Sequence, residues 1–462
     1  MAATRTVDVV VIGAGPGGEV AAGRLAEAGL EVAVVEDRLV GGECSFFACI
    51  PSKSLLRPGE ILAEVRRVPG AAQAVTGPLD TDAVLRRRDE LVNNLDDSGQ
   101  VPWLEERGIA LLRGRGRLDG ERRVVVSNAT GDETVEARRA VILAGGTAPA
   151  LPPIEGLADA RPWTNREATT ARTIPSRLVV VGGGVVGVEL SQAYATLGSQ
   201  VTLIEGERRL LPREEEFACV QVSESLAEQG VDIRTGQKAT AVRREGDSVV
   251  VTLGDGSTAT GDELLVALGR TPDSHELGLE SVGLKPGGYI KVDEHTRVPG
   301  YDWLYVIGDL NGRALFTHMS KYQAALAAGH ILGKGIAVEH LADGHGAPRV
   351  IFSDPQVTAV GHTTMSAEAA GLRVRVVDLE TSGNAGGSYY GRGARGTSRF
   401  VIDEDRGVLV GATITGSEVA DFLHAATIAI VGEVPLTRLR HAVPAFPTRS
   451  EIWLYLFDEL GM

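Results

Sequence analysis

The sequence predicts an α/β protein with two Rossmann-like domains followed by a smaller α+β domain. Three observations predict it. A βαβ pattern with a glycine-rich first turn occurs twice. The chain has 462 residues, too many for one core. Its last hundred or so residues alternate strand-like and helix-like stretches without any glycine motif.

The first βαβ stretch is "VDVVVIGAGPGGEVAAGRLAEAGLEVAVVE". It reads as an apolar strand, a glycine turn, an Ala-rich helix and a second strand ending in Glu36. The second, "SRLVVVGGGVVGVELSQAYATLGSQVTLIE", repeats the design and ends in Glu205. Each carries G-x-G-x-x-G, filled by Gly13, Gly15 and Gly18 in one and by Gly182, Gly184 and Gly187 in the other. The first glycine permits the tight turn, and the second lets backbone approach a pyrophosphate. The third lets helix and strand pack closely, and the helix N-terminus faces the phosphates. The terminal acid can hydrogen-bond ribose hydroxyls. Two such units in one chain point to a flavin and a nicotinamide nucleotide exchanging electrons, hence FAD and NAD. Glu205 favours NADH over NADPH, because a carboxylate repels a 2′-phosphate; Gly206 follows it, with Arg208 and Arg209 close by.

The remaining elements fit around these units. Helical stretches run from Lys53 to about Glu106. "RRVVVSN" and "RRAVILAGGTAP" read as strands returning to the first domain, "PPIEGL" as a linker and "WLYVIGD" as a buried strand ending at Asp309. The expected domains are 1–145 (FAD-binding, first part), 146–268 (NAD(P)-binding), 269–340 (FAD-binding, second part) and 341–462 (interface). Net charge is −15 with no basic block, and aromatics are 5%, which argues against nucleic acid and anionic membranes. No run reaches the roughly 18 apolar residues of a membrane span. Asp8 interrupts what a signal peptide would need as its apolar stretch, so a cytoplasmic location is expected.

Two of the three cysteines lie in "GGECSFFACIPSK", at Cys44 and Cys49. No second Cys/His cluster stands at zinc-ligand spacing, so no metal site is expected. A structural disulfide is unusual in a reducing compartment. A reactive pair beside a bound flavin fits best. In an ideal helix residues five apart are roughly 8 Å apart, beyond the about 7 Å that a disulfide tolerates. A bridge therefore requires a helix that starts late or is distorted between them. Lys53 lies four residues after Cys49, on the same helical face, where its charge favours a thiolate. Cys219, in "REEEFACVQVSESL", reads as a small core residue.

The segment resembles the motif G-G-x-C-x4-C-x-P-x-K of the flavoprotein disulfide reductases. That is the class I pyridine nucleotide-disulfide oxidoreductase family, which includes dihydrolipoyl dehydrogenase and mercuric reductase. The resemblance runs through "VILAGGTAP", "ALGRTPD", "YVIGD" and a terminal P-T-x-x-E. It implies a homodimer whose C-terminal domain forms the interface, and it implies residue roles. Cys44 would be the interchange thiol and Cys49 the thiol against the flavin. Lys53 and Glu189 would form an ion pair beside the flavin. Gly42, Gly116, Gly146, Asp309 and Thr317 would join Glu36 and the first glycines around FAD. Gly269 and Arg270 would lie near the nicotinamide nucleotide.

The sequence departs from the family at one catalytic position. Where the family has H-P-T-x-x-E, this chain has "FPTRSE": Pro447, Thr448 and Glu451 stay, but the histidine position is Phe446. His441 is out of register and reads as an ordinary surface histidine. Hydride transfer needs no base there, whereas reducing an external disulfide does, and losing a positioned acid/base costs about 10²–10⁴-fold. Glu43 stands where the family commonly has Thr, and an acid beside Cys44 is expected to raise its pKa. Phe46 and Phe47 are expected to make the loop bulky and apolar. The resemblance thus implies passage of hydride from NADH through FAD to Cys44–Cys49 and on to an unassigned small-molecule acceptor. The alternatives are a quinone, dye or metal-ion reductase and a low-turnover redox sensor.

Overall fold

The computed structural model describes residues 4–339 and 342–462 and divides the chain into two compact units. The expected domain boundary at 340/341 falls outside the described residues. The first unit comprises Met1–Pro51, Asp89–Ala150 and Arg270–Gly344. The second comprises Ser52–Arg88, Leu151–Gly269 and His345–Met462.

The first unit is organised on a seven-stranded sheet. Its centre is the strand Thr4–Ile12, paired in parallel with Val32–Glu36 on one side and with Gly131–Leu143 on the other. Val9, Val10 and Val11 are fully buried, because parallel strands covered on both faces read as unbroken apolar runs. The long strand Gly131–Leu143 also accepts Leu304–Val306 in parallel and an antiparallel hairpin of Arg123–Asn128 with Arg115–Leu118. The helices Pro16–Glu27 and Thr317–Ile331 lie on one face of the sheet, where Ala21, Ala22, Ala324 and Ala327 are fully buried in one apolar cluster.

The second unit repeats the parallel core with Asp232–Thr235, Gln200–Glu205, Arg177–Val181 and Glu263–Val266 in that order. A three-stranded antiparallel sheet of Ala239–Glu245, Ser248–Leu253 and Thr258–Gly261 is appended to it. The C-terminal part of this unit is a five-stranded antiparallel sheet, from Arg349–Ile351 to Val374–Glu380, packed under His424–Val431 and Ile452–Leu460. The helix expected over "SEVADFLHAATIAIVGE" is shorter: Asp421–Leu423 is a 3₁₀ turn, and the α-helix begins at His424.

The two glycine turns have the same anatomy. Gly13 and Gly182 have φ of +104° and +114°, and a Cβ there would strike the Ala144 and Ala267 carbonyl oxygens at 2.5 and 2.4 Å. Gly18 and Gly187 stand so close to the preceding turn that a Cβ would lie 1.9 and 1.8 Å from the carbonyl oxygens of Gly13 and Gly182. Gly15 and Gly184, at the helix N-caps, face open space. Gly187→Ala is therefore expected to lower stability by about 1–3 kcal/mol, the size of an overpacking defect. Gly184→Ala should stay within about 0.5 kcal/mol of wild type. Urea denaturation of both variants checks this, and equal losses would contradict the assignment of close packing to Gly187 alone.

Candidate active site

The strand-end acids do more than wait for a ribose. Glu36 accepts hydrogen bonds from the Ala14 N–H and the Arg38 N–H, both at 2.8 Å. Glu205 accepts from the Gly183 N–H and, at 2.7 Å, from the Glu207 N–H. Each carboxylate thus ties its glycine turn to the strand end that follows the helix. Burial pushes the Glu36 carboxyl up, against the lowering effect of its two N–H donors.

The redox segment is stacked on the first glycine turn. The Gly41 N–H donates to the Ala14 carbonyl at 2.8 Å, and a Cβ on Gly42 (φ +61°) would meet the Gly15 Cα at 2.8 Å. From there a short helix, Gly42–Phe46, carries Cys44, and a new helix, Cys49–Arg67, starts at Cys49. The break between them at Phe47, with φ −133°, is the distortion that lets the two cysteines meet. Both are present as thiols. Cys44 is held well above the ordinary thiol range, by its hydrogen bond with Cys49 and then by burial, while Thr317 and Lys321 act in the opposite direction. The Cys49 Sγ lies 3.4 Å from the Thr317 Oγ1.

The Cys44 thiol is raised, as expected, with Cys49 and burial as the largest causes; Glu43 lies 3.6 Å from the Arg270 guanidinium. One expectation about this loop is corrected. Phe46 is 1% exposed and belongs to the core, so it does not make the loop surface apolar.

Around this pair the first unit builds a polar chain. Arg270 donates to the Thr147 Oγ1 at 2.6 Å and to the Thr147 carbonyl at 2.7 Å, and the Thr147 hydroxyl donates to Asp309 at 2.8 Å. Burial pushes the Asp309 carboxyl up, with Thr147 and Arg270 opposing. The Asp309 turn is fixed by Gln323, whose side-chain oxygen accepts from the Gly308 N–H and the Asn311 side chain, both at 2.8 Å. Gly146 and Gly269, with φ of +72° and +112°, face open space. Gly116 instead packs on Val35 and Ile12, where a Cβ would stand 2.9 Å from the Val35 Cγ1. Glu19, in the first turn of its helix, is pushed up to about 7, by burial above all, with Lys321 lowering it.

Within the second unit Lys53 donates to Glu189 at 2.6 Å. The other Glu189 oxygen accepts from the Phe352 N–H at 2.9 Å, and the Lys53 ammonium sits 4.9 Å from the centre of the Phe352 ring. Glu189 is thus buried with both oxygens partnered. Further along, Phe446 is 76% exposed, His441 is exposed, and the Glu451 Oε2 is buried with no hydrogen-bond partner among the described residues. Cys219 is a core residue, its thiol donating to the Leu211 carbonyl at 3.2 Å.

Sequence reasoning missed Gln323, Phe352 and Lys321, which carry no motif, and gave no role to Thr147, which lies within "VILAGGTAP". Only their positions beside Asp309, Glu189 and Cys44 in the fold reveal them.

Two glycine turns with open second glycines, a paired lysine and glutamate, and two apposed cysteines define a flavin- and pyridine-nucleotide-dependent oxidoreductase. The glycine cradle fits both nucleotides, since a Cβ would fill the space at Gly15 and Gly184. The chain belongs to the pyridine nucleotide-disulphide oxidoreductase family, which matches residues 7–329, and its dimerisation domain matches residues 347–456. The chain is 31% identical to the dihydrolipoyl dehydrogenase of Haloferax volcanii over 96% of its own length and 94% of that protein. It is 31% identical to a mercuric reductase of Shigella flexneri over 96% of its length and 79% of that protein. Among solved structures it resembles LpdA of Mycobacterium tuberculosis, with a TM-score of 0.86, 26% identity and coverage of 98% and 100%. The fold also matches the flavoprotein disulfide reductase RclA of Escherichia coli, solved as a Cu(II) complex, with a TM-score of 0.87, 24% identity and coverage of 99% and 100%. The chain is an FAD-dependent NAD(P)H oxidoreductase of the dihydrolipoyl dehydrogenase type. No helix among the described residues is long and apolar enough to cross a membrane.

The Lys53–Glu189 pair gives a direct stability test. Removing one partner of a fully buried pair costs about 3–5 kcal/mol. Lys53 is 34% exposed, so Lys53→Met is expected to cost less, about 2 kcal/mol. The double variant Lys53→Met/Glu189→Leu should recover most of that loss in urea denaturation. A double variant no more stable than the single one would show that the two charges are not coupled.

Proposed function

We propose that Cys44 and Cys49 are the chain's redox-active pair and that its acceptor is one that needs no proton from position 446. The reading is carried by one observation: the Glu451 Oε2 is buried with no donor among the described residues, and Phe446 stands where the family resemblance puts the histidine that Glu451 would orient.

When bound, FAD takes hydride from the nicotinamide and supplies two electrons to the cysteine pair. The chain's own residues do the rest. Lys53 presents a cation fixed by Glu189, which favours negative charge beside it. Thr317 holds Cys49, and Cys49 in turn hydrogen-bonds Cys44, so the pair is kept together in the dithiol state. The hydrogen bond with Cys49 and burial raise the Cys44 thiol. A homodimer built through the dimerisation domain would bring Phe446 and Glu451 to the partner's cysteine pair. A quinone- or dye-type acceptor is the second reading, favoured by the exposed phenyl ring of Phe446. On the nucleotide side, Glu205 and Gly206 support NADH over NADPH.

Reductive titration tests the redox pair. Uptake of about four electrons per FAD is expected, two for the flavin and two for the cysteines, falling to about two in Cys49→Ser. Uptake of only two by the wild type would remove the cysteines from the reaction.

Phe446→His tests the acceptor reading. With Glu451 in place to orient the ring, lipoamide turnover should rise, by at most the roughly 10²–10⁴-fold of a positioned acid/base. Benzoquinone reduction should hardly change. An unchanged lipoamide rate in a folded, FAD-replete variant would mean that the acceptor site excludes disulfides, and the quinone-type reading would take precedence.

A further inference from the structure

We infer that Lys238 forms a phosphate-accepting subsite at the adenosine end of the nicotinamide nucleotide, so that the chain retains affinity for a 2′-phosphorylated adenosine despite Glu205. The inference rests on the nucleotide reading given above and concerns a residue outside every glycine motif.

In an open parallel sheet, ligands bind beyond the carboxyl ends of the strands, and the acid ending the second strand marks the ribose. Here that end is Glu205–Gly206–Glu207. The loop after the neighbouring strand Asp232–Thr235 is fastened directly onto it. The Gly236 N–H donates to the Glu207 carbonyl at 2.7 Å, and the Gln237 N–H to the Glu205 carbonyl at 3.0 Å. The next residue is Lys238, whose own carbonyl accepts from the Gly254 N–H at 3.0 Å. Its stem therefore lies over Gly206: a Cβ at Gly206 would stand 3.1 Å from the Lys238 Cγ and 3.3 Å from its Cε. The absence of a side chain at 206 is what makes room for the lysine.

The charges around this point are unevenly committed. Both Glu205 oxygens already accept backbone N–H groups, which holds the carboxylate against its own turn. Arg209 is directed away, donating to the Pro212 and Glu214 carbonyls at 3.4 and 3.5 Å and standing 4.0 Å from Glu216. Lys238 is exposed and has no carboxylate within ion-pair distance among the described residues. A lysine stem lying over Gly206, its ammonium in no ion pair among the described residues and beside the acid that reads the ribose, is suited to a phosphomonoester on that ribose. Glu205 and Lys238 then act in opposition, one against the 2′-phosphate and one for it.

Isothermal titration of the FAD-loaded protein with 2′,5′-ADP and with 5′-ADP tests this without turnover. Lys238→Ala should weaken 2′,5′-ADP by roughly fivefold, the upper end for one solvent-exposed ion pair, and change 5′-ADP by less than about twofold. Lys238→Arg should keep most of the wild-type affinity. Raising salt from about 0.02 to 0.2 M should narrow the gap between wild type and Lys238→Ala for 2′,5′-ADP. Equal weakening of both nucleotides, or an unchanged 2′,5′-ADP affinity, overturns the inference while leaving the nucleotide site intact. Failure of both nucleotides to bind the wild type overturns the inference together with the reading it rests on.

Discussion

Each nucleotide half depends on one steric constraint: a helix must start closer to its strand than any side chain allows. Gly18 against the Gly13 carbonyl, and Gly187 against the Gly182 carbonyl, bring the helix N-terminus over the strand end. That approach leaves the second glycine facing open space, where backbone N–H groups and the helix dipole can meet a pyrophosphate. It also brings the middle residue of the turn within reach of the acid ending the next strand. The hydrogen bonds from Ala14 to Glu36 and from Gly183 to Glu205 follow from this closeness. The two halves share no loop sequence beyond the glycines and the acid, yet arrive at the same bonds.

The redox loop inherits its position from the first turn. Gly42 rests on Gly15 and Gly41 bonds to Ala14, so the cysteine pair is anchored to the same backbone that would hold the flavin's phosphates. The helix break at Phe47 does what a continuous helix could not: it brings residues five apart together. The electrostatics follow from which groups are already engaged. Glu43 faces Arg270, and Arg270 is itself held by Thr147 and through it to Asp309. The acid beside Cys44 therefore belongs to a network that stabilises the loop, and the cysteines tune each other.

What was legible in the sequence was whatever the backbone dictates. The glycine spacing, the terminal acids and the apolar strands specify the two βαβ units without reference to anything distant. The cysteine spacing likewise set a condition: a bridge would need a helix that starts late or is distorted between Cys44 and Cys49. Illegible were contacts that depend on which distant segment arrives next to a residue. Nothing local to Phe46 distinguishes a core side chain from a surface one; burial in the folded unit decides it. Nothing local to Glu43 names Arg270 as its partner, more than two hundred residues on. Thr147, Gln323 and Phe352 are ordinary residues in sequence and acquire their roles by position. Gly116 packs against Val35 and Ile12, contacts that nothing local to it announces.

The acids given site roles fall into two groups. Glu36, Glu205 and Glu189 have both oxygens partnered within the chain, by backbone N–H groups or by Lys53, and Asp309 accepts from Thr147. These are the acids assigned to the nucleotide and flavin side. A buried oxygen without a donor costs about 1–3 kcal/mol, a cost that the partners of Glu36 and Glu189 avoid. Glu451 differs. Its Oε2 is buried with no partner among the described residues, and Phe446, at the position where the resemblance implies a histidine, is exposed. In the proposed reading the acids of the nucleotide side are partnered within the chain, whereas the Glu451 Oε2 has no donor among the described residues, so an acceptor reduced there must bring its own proton donor or need none.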